Sequence, residues 1–104
     1  MIRFRRLFNL ETETDQRQFA AVERIFHAAF PSEAEASETI RGHLTGRPPA
    51  FEPLLLLAED RRDNVIGLTF TYYFPDLRFA YLQYIASDPS RPARGIGGAL
   101  YEAL

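Results

Sequence analysis

At 104 residues the chain is the size of one domain and long enough to bury a single core. Its 46% hydrophobic and 25% charged fractions are those of a globular protein rather than a disordered one. The net charge of −2 argues against a dedicated nucleic-acid binder, and the absence of lysine excludes a lysine nucleophile or Schiff base.

The chain has no cysteine, which removes disulfides, thiolate chemistry and cysteine-ligated zinc. His27 and His43 are too few for a histidine-rich site, so no metal is expected. The longest apolar run, Leu54 to Ala58, is far short of the ~20 residues that cross a bilayer, and no membrane association is expected. Met1 to Phe8 carries three arginines, but Glu11, Glu13 and Asp15 follow where a signal peptide would be apolar. A cytoplasmic location is the expectation.

Ile2 to Phe8 alternates loosely and reads as a first strand. Thr12, Thr14 and Asp15 offer N-caps, with Gln18 at capping-box spacing from Asp15. Phe19, Val22, Ile25, Phe26, Ala29 and Phe30 then mark an amphipathic helix that Pro31 ends. Ser32 and Glu35 repeat the capping pattern before a second helix, with Ala36, Ile40, His43 and Leu44 on its apolar face. His43 and His27 both read as half-buried face residues. Gly46 and Arg47-Pro48-Pro49 stop that helix.

From Pro53 the period changes. Leu54 to Ala58 is apolar on both faces, like a strand covered on each side. After a polar turn at Asp60 to Asn64, the stretch Val65 to Phe74 places Ile66, Leu68, Phe70, Tyr72 and Phe74 on one face. Val65, Gly67, Thr69, Thr71 and Tyr73 take the other. Pro75-Asp76 makes a turn, and Leu77 to Ser87 is a further strand. The short connections favour an antiparallel meander. Gly98 to Leu104 begins a third helix, so the order is β-α-α-β-β-β-α.

The chemistry concentrates in Ile85 to Leu100. A glycine-rich turn that opens a helix presents free backbone N–H groups and the positive end of the helix dipole, and phosphate is its natural ligand. The dinucleotide fingerprint wants glycine where Leu100 stands, and the P-loop wants lysine, so neither applies.

At these residues the chain resembles the GNAT superfamily of N-acetyltransferases. That family carries Gln/Arg-x-x-Gly-x-Gly/Ala between its fourth strand and third helix, after a strand ending Leu-Ala-Val-x-Pro. Ile85-Ala86-Ser87-Asp88-Pro89 takes the strand end, and Gly95-Ile96-Gly97, with Ala99 and Leu100 beyond, takes the loop. In this register Pro92 stands at the Gln/Arg position; sliding by two residues restores the pattern as Arg94-Gly95-Ile96-Gly97-Gly98-Ala99 but breaks the spacing from Asp88-Pro89. The element order fits the first half of that α/β (α+β) fold, a mixed, largely antiparallel sheet flanked by helices.

The resemblance implies a single acyltransferase domain over residues 1–104 that transfers an acetyl group from acetyl-CoA to an amine by direct attack on the thioester. Acetyl-CoA is the implied co-substrate, without a metal. The backbone N–H of Ile85 would polarise the acetyl carbonyl, and Ala86 and Ser87 would hold the pantetheine. Arg91, Arg94, Gly95, Ile96, Gly97, Gly98 and Ala99 would take the pyrophosphate. No side chain on the last strand is an evident general base. Strand alternation sends Gln83 and Tyr84 to opposite faces, with Gln83 towards the acceptor and Tyr84 towards the helices.

Glu11, Glu13, Asp15, Glu23, Glu33, Glu35 and Glu38 outnumber Arg17 and Arg24 over residues 11–38, and read mainly as solvated helix faces. Tyr72 and Phe74 read as sheet core. By resemblance the last helix breaks off early and the C-terminal portion of the domain is missing, so the exposed edge of the last strand is expected to drive self-association. The competing class is a partial GNAT-like module that binds CoA, or only a partner, without turnover.

Overall fold

Thr12, rather than Asp15, starts the first helix. Its side chain accepts from Asp15 N at 3.0 Å while the Asp15 carboxylate accepts from Thr12 N at 3.2 Å, a closed capping box. The computed structural model describes residues 2–33, 35–46 and 50–90. They form β1 (Arg3–Leu7), α1 (Glu13–Ala29), α2 (Ala36–Gly46), β2 (Glu52–Glu59), β3 (Val65–Phe74), a 3₁₀ turn (Pro75–Leu77) and β4 (Phe79–Ser87). The four strands pair in chain order, each antiparallel to the next, which is the meander expected from the short turns. Removing the Thr12 cap by Thr12→Ala should cost about 1 kcal/mol in urea denaturation, with Thr12→Ser close to wild type.

Both helices cover one face of the sheet. Phe19, Val22, Ile25 and Phe26 of α1 and Ile40 and Leu44 of α2 pack on Leu55, Leu57, Leu68, Phe70 and Ala86. Ala29, expected on the apolar stripe, is exposed, and so is His27, whose Nε2 meets Ser37 Oγ at 3.0 Å across the helix pair. His43 is half-buried as expected, edge-on to Phe51 and Tyr72 at 5.1 and 5.5 Å. Ser32 does not cap α2, because Glu35 O accepts the first bond, from Thr39 N, at 3.3 Å.

Two irregularities override simple strand alternation. Ala58 pairs with Gly67 but Glu59 pairs with Val65, which leaves Ile66 as an extra residue in β3. Val65 therefore joins Leu68 on the helix side, and Ile66 packs with Ala58 and Ile85 on the other face, the reverse of the periodic reading. In the second, Phe70 pairs with Tyr84 and Thr71 with Leu82, so Gln83 is the extra residue in β4. Leu77, expected in that strand, lies exposed in the 3₁₀ turn, which Arg78 leaves at φ 50°.

The polar turn at 60–64 forms as expected: the Asp60 carboxylate accepts from Arg62 N at 2.8 Å and Asn64 N at 3.0 Å. Glu59, expected beside that solvated turn, is instead only 1% exposed and accepts from Gln18 Nε2 at 3.1 Å. Its burial follows from the irregularity that turns Val65 and Glu59 together under α1.

Candidate functional site

The hydrogen-bond phase of β4 decides which of its backbone groups a ligand can reach. Asp88 N donates to Ile66 O at 2.8 Å, so this pair is of the bonded type. Bonded and non-bonded pairs alternate in an antiparallel ladder, so Ala86 and Tyr84 bond across to Leu68 and Phe70. The N–H and C=O of Ile85 and Ser87 then point away from β3, towards the side that is the sheet edge among the described residues. Ala86 is turned to β3 and is 7% exposed, so its backbone is not available to hold a pantetheine chain. Ile85 and Ser87 are.

Asp88 closes the strand and starts the following loop. Its Oδ1 accepts from Ser90 N at 3.0 Å and from Ser90 Oγ at 2.7 Å, an Asx turn that sets the exit direction of the chain. Sequence reasoning took Asp88 only as a strand stop, although an Asp followed by Pro-Ser carries this turn chemistry. Arg91, Arg94, Gly95, Ile96, Gly97, Gly98 and Ala99, with the third helix, lie outside the described residues.

Tyr84 faces the helices, as expected. Its ring meets Phe26 edge-on at 4.7 Å and Phe30 at 5.4 Å. Burial raises the hydroxyl pKa first; the Gln83 side chain opposes this, and the Glu33 carboxylate and Tyr81 push it up further. The hydroxyl is therefore neutral at physiological pH, a proton donor and not a base. Gln83, the extra residue of β4, breaks the alternation on which the expected split of Gln83 and Tyr84 to opposite faces rested. Glu33, in the turn before α2, is a neighbour of Tyr84 that no sequence spacing disclosed.

Two other acids of 11–38 hold the helices. Asp15 closes the α1 cap and Glu23 pairs with Arg41 Nη2 at 3.1 Å. Tyr72 is core, as expected, beside Phe51 and Phe70, and its hydroxyl pKa is raised by burial and by Tyr84. Among the described residues no group of histidines and carboxylates could hold a metal, and no helix is long and apolar enough to cross a membrane.

No family model matches the chain, and no curated protein matches it. Among solved structures it is similar to the catalytic domain of the Tetrahymena GCN5 histone acetyltransferase in complex with coenzyme A. The identity is 20% and the TM-score 0.72, over 99% of this chain and 58% of that one. A likeness of that extent at so low an identity is one of fold, and it agrees with the element order and the meander. The chain has the GNAT-type α/β fold, over little more than half the length of the domain it matches.

Proposed function

We propose that the chain binds acetyl-CoA along the outer side of β4 and transfers its acetyl group to an amine. The observation that carries this reading is the phase of β4, which turns the Ile85 and Ser87 amides outward. They lie a few residues ahead of a glycine turn suited to a pyrophosphate. The GNAT fold, found in an acetyltransferase solved with coenzyme A, supports the same reading.

The neutral acceptor nitrogen attacks the thioester carbonyl carbon; the C–N bond forms, the C–S bond breaks, and the CoA thiolate leaves and ends as the thiol with the proton that the nitrogen gives up, directly or through water. The Ile85 N–H donates to the carbonyl oxygen as its negative charge develops, which is worth about 3–4 kcal/mol where water is excluded. Ser87 holds the pantetheine amides. Arg91, Arg94 and the backbone of Gly95 to Ala99 hold the pyrophosphate. Gln83, exposed beside Ile85, borders the acceptor. Tyr84, kept neutral, is a hydrogen-bond donor on the helix side.

Acetyl-CoA at a hundredfold excess over Kd should raise the unfolding free energy by about 2.7 kcal/mol, while NADH and ATP should give little. An equal response to ATP would contradict the reading. One feature favours a non-catalytic CoA-binding module as the second reading: Tyr81, Gln83, Tyr84 and Ser87, the polar side chains of β4, include no base at neutral pH. Stabilisation by acetyl-CoA without CoA release in the presence of any amine would select it.

A further inference from the structure

At the sheet edge opposite β4, a cleft of about 430 Å³ opens between α1, β1 and the β2–β3 turn. Its walls carry Arg5 from β1, Arg17 and Arg24 from α1, and Arg62 from the turn, over a floor that includes Gln18. Arg17 and Arg24 are seven residues apart, so they share one helix face with about 10 Å between them. All four side chains belong to exposed residues.

None of the four has a carboxylate partner among the described residues; Arg17 reaches only Thr14 Oγ1, at 3.4 Å. Several acids lie around the cleft: Glu13 borders a neighbouring hollow with Arg17, the Asp60 carboxylate accepts from Arg62 N, and Glu59 is bonded to Gln18. Among the described residues only Asp63 lines the cleft itself, and it is paired with Arg3, so the lining side chains keep an excess of positive charge in a chain whose net charge is −2. Like charges lining one cleft repel, and a bound anion offsets that cost. Gln18 is 8% exposed, and its Oε1 is buried with no partner among the described residues, an acceptor that a hydroxyl of a ligand can satisfy and an unprotonated phosphate oxygen cannot.

We infer that this cleft is a binding site for a small phosphorylated molecule, separate from the outer side of β4. The four arginines come from three elements that border the cleft. A tetrahedral phosphate accepts hydrogen bonds from several directions at once, whereas a carboxylate accepts them in one plane. The volume is that of a small-molecule pocket and too confined for a nucleic-acid strand.

Isothermal titration with inorganic pyrophosphate at low ionic strength tests the inference. Wild type should bind, and Arg24→Gln/Arg62→Gln should bind about tenfold or more weakly, since each charge-assisted bond is worth about that factor. Both arginines are exposed and have no carboxylate partner among the described residues, so the double variant should retain its fold, which circular dichroism checks. Gly97→Asp, at the glycine turn, should retain a pyrophosphate site. No binding by wild type, undiminished binding by the double variant, or a loss confined to Gly97→Asp would overturn the inference. Acetate bound as tightly as pyrophosphate would overturn the preference for phosphate.

Discussion

Gly97→Asp is expected to abolish acetyl-CoA binding while leaving the fold intact. A glycine turn at a helix start holds an anion because its amides come close to the oxygens with no side chain between them. Aspartate at this position adds both bulk and a negative charge where the pyrophosphate is proposed to lie. Near a helix N-terminus a carboxylate is otherwise tolerated or stabilising, so the loss should be confined to binding. Titration calorimetry reads the affinity, and a urea midpoint within error of wild type reads the fold. Unaltered acetyl-CoA binding in this variant would remove the pyrophosphate from the turn and with it the proposed orientation of the cofactor.

The largest effect on stability is expected at Phe26. The residue is 0% exposed and its ring meets Phe30 at 5.0 Å and Tyr84 at 4.7 Å, joining α1 to β4 across the core. Phe26→Ala should cost about 3–5 kcal/mol through lost burial and the cavity left behind. Phe26→Leu retains most of the volume and should cost much less. Because Tyr84 leans on this ring, the alanine variant should also loosen β4 beside Ile85, visible as faster amide exchange there than in β1. A loss below about 1 kcal/mol in urea denaturation would show that the site collapses around the gap.

The elements were legible because their signals are local. The Phe19–Phe26 spacing and the Asp60–Asn64 turn each depend on a few neighbouring residues. What escaped depends on pairing between distant segments. Glu59 reads as a turn residue by its neighbours, and only the slipped pairing with Val65 draws it under Gln18. The Gln83 side chain reads as pointing away from Tyr84 until one residue too many enters β4. Glu33 is more than 50 residues from Tyr84, and nothing in either sequence neighbourhood announces the contact. At the site, Ile85 and Ser87 were nameable from the resemblance, but that Ala86 faces inward follows from a single hydrogen bond, Asp88 to Ile66.

The extra residue in β4 sets the parity of the strand. Counting back from Ala86 and Tyr84, strict alternation would bring Leu82 and Ala80 to the helix side; with Gln83 interposed, Tyr81 and Phe79 stand opposite Tyr72 and Phe74 instead. The two halves of β4 thus run out of step by one residue, and each is in step with its own stretch of β3. Deleting Gln83 would move neither half: Tyr84 would keep Phe70, Leu82 would keep Thr71, and the ladder would become regular, with the Ile85 and Ser87 amides still outward. A deletion between Tyr84 and Ser87 is different, because no residue there is spare, and it would exchange inward and outward amides on one side of the cut. Gln83 is thus the one position of β4 where the strand can lose a residue without losing its register.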